Sequence, residues 1–145
     1  MRSAEHGLVV AVPFLWLGMV VAISFLEAPL KFRAPGITIP LGLGIGRLVF
    51  RALNVAEVAL AALLTVAVIA LRPAGAGAAL LVVAWLILAV QIGVLRPRLD
   101  RRATALIAGE SLSPSREHVA YIGLEVVKIP LLLALGAALI AATLP

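Results

Sequence analysis

The sequence predicts an all-α integral membrane protein: a four-helix bundle of two antiparallel hairpins, with its N- and C-termini outside. Three observations carry that prediction. First, 63% of the 145 residues are hydrophobic and 13% are charged, with a mean hydropathy of +1.18; a soluble domain is roughly half apolar and about a quarter charged. Second, the apolar residues gather into four runs, each near the roughly 20 residues that a membrane helix needs. Third, lysine and arginine crowd toward one side of those runs. The same composition excludes a disordered chain, which requires low hydrophobicity and high charge. The chain has no cysteine, so disulfides, thiolate metal sites and thiol catalysis are excluded. The net charge of +5 reads as membrane orientation rather than as affinity for nucleic acid.

The first span is expected over residues 8–28, interrupted by Pro13 and Gly18 and closing on Glu27. Its length exceeds the about 7–15 residues of a signal-peptide core. Its following flank, Lys31 and Arg33, is more basic than its leading flank, so it reads as a retained span. The second span is expected over 47–71. Thr38 can cap a helix with Pro40 in its first turn, so that helix can begin ahead of its apolar core. Gly42 and Gly46 have the GxxxG spacing that lets helices approach. The third span is expected over 74–95, after a tight turn at Arg72-Pro73, and the fourth over 117–142.

The connections 29–46 and 96–116 are long and basic. Together with the helix entrances they carry nine lysines and arginines (Lys31, Arg33, Arg47, Arg51, Arg96, Arg98, Arg101, Arg102 and Arg116), against Arg2 and Arg72 on the other side. By the positive-inside rule both long connections are cytoplasmic, where they would meet anionic headgroups. Within the second connection, Asp100 is expected to cap a short helix along the membrane surface, ended by Gly109. Ser113-Pro114 is expected to start the last helix. Pro29 and Arg33 follow span one with the spacing at which Pro97 and Arg101 follow span three, a hint of an internal repeat. One four-span domain thus fills residues 1–145.

Polar residues inside apolar spans hold the functional information. His118, Tyr121, Glu125 and Lys128 recur at steps of three, four and three, which places them on one helix face. Arg47, Asn54 and Glu57, with Arg51, form a matching stripe on span two. Glu27 closes span one, beside Ser24 and Lys31, and span three contributes Gln91. At a 1.5 Å rise, Glu57 lies roughly 15 Å along its helix from Arg47, near the bilayer middle. A charge there costs about 2.5–3.5 kcal/mol on insertion scales, so these groups should face one another. Glu57 and Glu125 are expected to pair with Lys128 and with Arg47 or Arg51. Asn54, Gln91 and Tyr121 would fill the remaining hydrogen bonds, around a crevice open to the cytoplasm. The tryptophans Trp16 and Trp85 read as packing residues, and His118 as a headgroup-level anchor rather than a metal or haem ligand.

Such a crevice suits protons or a small polar or amphipathic ligand, phospholipid headgroups and quinones among them. No nucleophile triad, phosphate loop or zinc-protease motif is present, so an enzyme is the less favoured class. No cofactor is predicted, although haem or quinone stays open for a redox reading. A further alternative is a non-catalytic subunit or assembly factor, packing on a membrane partner or a second copy through small-residue faces that include Gly136. For the buried charges themselves, a structural ion pair that fixes helix register is the alternative to a working site.

The stretches Phe14-Leu-Trp16-Leu-Gly18, Glu27-Ala-Pro29-Leu-Lys31-Phe32 and Ile45-Gly46-Arg47-Leu-Val-Phe50 resemble a group of small four-span bacterial inner-membrane proteins of uncharacterised activity. They are also loosely similar to the superfamily that includes the human transmembrane protein linked to cisplatin resistance. His118, early in span four, fits that pattern, whereas Glu57, Glu125 and Lys128 depart from it. The resemblance implies the fold and no activity.

Overall fold

A computed structural model describes residues 2–72 and 75–143. Among the described residues the chain is helical, without strands. Four runs, Val9–Arg33, Ile39–Ala70, Gly77–Ile107 and Arg116–Ala142, are each long and apolar enough to cross a membrane. They are longer than the spans that hydropathy alone outlines. Backbone hydrogen bonding does not stop where hydrocarbon ends, so a helix continues until a residue breaks it.

The breaking residues are identifiable. The first run begins as an α-helix at Arg2–Val20, passes through a π-helical stretch at Val21–Glu27, and ends in a single 3₁₀ turn at Lys31–Arg33. Ala34, ahead of Pro35, is extended (ψ 136°), as a residue preceding proline prefers to be. Thr38 then caps the second helix, Ile39–Leu71, its hydroxyl accepting from the Leu41 N–H at 3.3 Å with Pro40 in the first turn. That helix starts well ahead of residue 47. It closes on Arg72 in a left-handed conformation (φ 46°), whose N–H bonds the Val68 carbonyl. The tight turn expected after Arg72 rests on Pro73 and lies outside the described residues.

The third run corrects the expected boundary at residue 95. Gly77–Val90 continues through a π-helical stretch, Gln91–Leu95, directly into Arg96–Ile107. Asp100 therefore sits inside a helix and caps nothing. The segment extends the third run and packs on the second helix instead of forming a separate surface helix. Pro97 does not break it, because the pattern has already shifted: the Arg96 N–H bonds the carbonyl of Gln91, five residues back. The first run does the same ahead of Pro29, where the Ala28 N–H bonds the Ile23 carbonyl. Proline removes one donor and crowds the carbonyl four residues earlier, and at both sites that carbonyl lies in a π stretch. Gly109 (φ 90°) ends the run, as its sequence position implies. The fourth helix, Arg116–Thr143, is capped by Ser115, which accepts from the His118 N–H at 3.0 Å. Ser113, on the other side of Pro114, is not the cap.

The packing is inside-out relative to a soluble bundle. Leu48, Val55, Val66, Ile69, Leu86 and Val119 are each more than 60% exposed, a surface suited to hydrocarbon. One end of the interior is apolar, built on Val12, Trp16, Leu64, Ala84, Leu132, Leu135 and Leu139. The first run and fourth helix meet most extensively, partly because Gly136 leaves room for the Phe14 ring. Gly136 thus serves contact within the chain and not a face kept free for a partner. Glycines at 42 and 46 likewise admit side chains: a Cβ at Gly42 would collide with the Phe32 ring, and one at Gly46 would sit 2.9 Å from Lys31 Nζ.

Candidate functional site

Midway along the bundle the apolar core gives way to a buried polar layer fed by all four runs. Lys128, Glu57 and Gln91 are 0% exposed and Glu125 is 1% exposed. The ammonium of Lys128 bridges the two carboxyls. It donates to Glu57 Oε1 and lies 2.7 Å from Glu125 Oε1. Gln91 Nε2 donates to the same Glu125 oxygen at 2.6 Å, and the Ser24 hydroxyl donates to Glu125 Oε2 at 2.9 Å. Trp16 Nε1 donates to Glu57 Oε1 at 2.9 Å. One turn nearer the basic end, Tyr121 donates to Asn54 Oδ1 at 3.0 Å.

The helical spacing explains this convergence. Glu125 and Lys128 are three residues apart and Tyr121 four residues before Glu125, so one stripe of the fourth helix faces the stripe of Asn54 and Glu57. The two π stretches supply the rest, since Ser24 lies in the first and Gln91 opens the second. A π turn shifts the helical register, and such turns recur at functional positions. Here both lie beside Glu125. Transferring isolated charges into hydrocarbon is costly, and a buried pair offsets that cost only when its remaining lone pairs are satisfied. Most are satisfied. Glu57 Oε2 and Gln91 Oε1 are buried without a hydrogen-bond partner.

Arg47 and Arg51 do not reach this layer, contrary to the expected pairing. They turn to Asp100, at 3.8 and 4.0 Å, and Arg96 joins them at 3.0 Å. The extension of the third run carries Asp100 to the second helix, where it offers a nearer carboxylate. Arg47 also donates to Thr104 at 3.1 Å. Glu27 belongs to the same end, paired with Lys31 at 3.2 Å across one helical turn. His118 is exposed at the start of the fourth helix. Among the described residues, no three His, Asp or Glu side chains are grouped as metal ligands would be.

Between the buried layer and the basic end lies a cavity of about 510 Å³. Phe25, Phe32, Leu43, Phe50, Leu99 and Ile122 give it apolar walls, and Lys31, Arg47, Arg96 and His118 line it as well. Glu125, Ser24 and Tyr121 form its inner boundary. Its cations stack on its aromatic rings: Lys31 Nζ lies 5.7 Å from the Phe50 centroid, and the Arg96 guanidinium lies 5.6 Å from Phe50 and 5.9 Å from Tyr121. Such contacts hold long cationic side chains in defined places.

The site unites Glu57, Glu125, Lys128 and Gln91, with Asn54 and Tyr121 adjoining, while Arg47, Glu27 and His118 belong to the cavity end. Sequence reasoning missed Trp16 and Asp100 as polar partners. For Trp16 a signal existed: an indole N–H in the middle of an apolar span requires an acceptor. No protein-family model matches the chain, and comparisons with curated proteins and with solved structures find no significant match.

Proposed function

We propose that this chain is a multi-pass inner-membrane protein that binds, and by that binding moves, a small amphipathic ligand with an anionic head. Its topology in this reading is two antiparallel hairpins with both termini outside, because nine lysines and arginines gather at one end against two at the other. The cavity then opens toward the cytoplasm. The observation that carries the proposal is the cavity's make-up: about 510 Å³ of mostly apolar lining with Lys31, Arg47 and Arg96 converging on it. Small-molecule sites are typically about 300–1,000 Å³, apolar, with a few placed polar groups. Three guanidiniums share the single carboxylate of Asp100, which leaves a cationic excess for a phosphate or carboxylate head. Arginine suits such groups through its planar fork of donors. The apolar part of the ligand would lie along Phe25, Phe32 and Ile122. The buried Glu57–Lys128–Glu125 layer closes the inner end; its ionic contacts join the second and fourth helices, and hydrogen bonds from Trp16, Ser24 and Gln91 tie in the first and third runs.

Native mass spectrometry of the protein purified in mild detergent tests this reading. The expected result is a retained anionic amphiphile of one-to-one stoichiometry. A stoichiometric protein partner with an empty cavity, or a visible-absorbing cofactor in place of the amphiphile, would contradict it.

A further inference from the structure

We propose that the Glu57–Lys128–Glu125 cluster holds one exchangeable proton on the Glu57 carboxyl, presented to Gln91, and that Glu125 is its door to the cavity. The inference goes beyond ligand binding and does not depend on it.

The charge count comes first. Two ionised carboxyls around one ammonium leave a net charge of −1 among groups that are 0–1% exposed. Among the described residues no second cation bonds either carboxyl. From the first run the facing groups are Trp16 and Ser24, both neutral, while Glu27 and Lys31 pair with each other. The second helix presents Asn54, bonded to Tyr121, and its Arg47 and Arg51 turn to Asp100. The third run presents neutral Gln91, and Arg96 turns to Asp100. His118 of the fourth helix is exposed. An uncompensated buried charge is removed most readily by protonation.

The unmatched acceptors come second, and they are independent of the count. Glu57 Oε2 and Gln91 Oε1 are both buried and both without a donor. Gln91 cannot turn its amide to help, because its Nε2 is committed to Glu125 at 2.6 Å. A carboxylate oxygen and an amide oxygen cannot bond each other. One proton on Glu57 Oε2 makes that atom a donor. Given to Gln91 Oε1, directly or through one water, it satisfies both atoms and cancels the excess charge.

Access comes third. Glu125 and Ser24 line the cavity, and Lys128 connects Glu125 to Glu57. A proton arriving on Glu125 crosses by exchange: Lys128 gives one N–H proton to Glu57 Oε1 as it takes one from Glu125 Oε1, and a half-turn of the Glu57 carboxyl then carries the protonated oxygen to the side of Gln91. The ammonium is restored, Glu125 is again a carboxylate, and no electrons move.

Infrared spectroscopy of the full-length protein in detergent at neutral pH, in H₂O and in D₂O, tests this. The wild type should show a carboxylic-acid C=O band that shifts to lower frequency in D₂O. Glu57→Gln should lack the band; its amide N–H replaces the proposed O–H, so the fold is retained. Gln91→Leu should shift the band to higher frequency, because its acceptor is gone. Three results would overturn the proposal: no deuterium-sensitive band in the wild type, a band that survives in Glu57→Gln, or a band abolished by sodium at constant pH, which would assign the site to a metal cation. If Glu57→Gln fails to fold, absence of the band in the wild type still overturns the proposal, and the shift in Gln91→Leu still assigns the band to the group that faces Gln91.

Discussion

Replacing Lys128 by methionine keeps an unbranched side chain as far as Cε and removes the ammonium that Glu57 and Glu125 share. Removing one partner of a buried ion pair typically costs about 3–5 kcal/mol, so Lys128→Met should lower the unfolding midpoint in detergent substantially. Adding Glu125→Gln should restore part of the loss, since it removes the carboxylate that Lys128 no longer offsets. Equal stability of wild type and Lys128→Met would show the layer to be energetically idle. The buried trio was legible in the sequence because charges in an apolar span have few places to go and helical steps of three and four show which face they share. The arginines were not. Arg47 and Arg51 are on the expected stripe, but which carboxylate they meet depends on where the third run ends, and no local pattern sets that. Trp16 was hidden for a different reason: its ring packs like any apolar side chain, and only the donor at its edge distinguishes it.

At the level of elements, the helix starts and stops were readable wherever a residue forces the backbone. Thr38 before Pro40 and Gly109 at a positive φ are such places. The π stretches were not readable, although the matched spacing of Pro29–Arg33 and Pro97–Arg101 pointed at the segments that contain them. Both prolines follow a residue bonded five positions back, so the sequence repeat has a structural counterpart at these two points. Pro13 and Pro130 lie within regular α-helix, so proline alone does not dictate a π turn. Gly136 allows a sharper prediction. A methyl group there would come within 2.6 Å of the Phe14 ring, which is 38% exposed and has some freedom to yield. Overpacking typically costs about 1–3 kcal/mol, and Gly136→Ala should fall at the lower end. Phe14→Ala in the same chain should remove the penalty in a double-mutant cycle by thermal unfolding. Additive losses would mean that the first run and fourth helix do not meet there.

For the whole molecule, fold class followed from composition and run length because the bilayer as solvent leaves few alternatives. Topology rests on the charge asymmetry, and the absence of cysteine makes it measurable without background. A single cysteine at Glu110 should react with a membrane-impermeant thiol reagent only from the cytoplasmic side, and one at Gly75 only from the opposite side. Reversed labelling would invert the cavity's orientation. The cavity was not legible as a volume, since it depends on how far the ends of the four runs splay, but the residues that give it charge were.

The most direct test of the central claim combines native mass spectrometry with two variants of the cavity. Ala28→Phe fills space beside the lining and leaves every charge in place, while Arg96→Ala removes a cation and leaves the space. An anionic amphiphile should bind one-to-one in the wild type, be excluded by Ala28→Phe and be weakened at least tenfold by Arg96→Ala, a loss of about 1.4 kcal/mol. An amphiphile that binds equally to all three proteins, or to none of them, would contradict the claim.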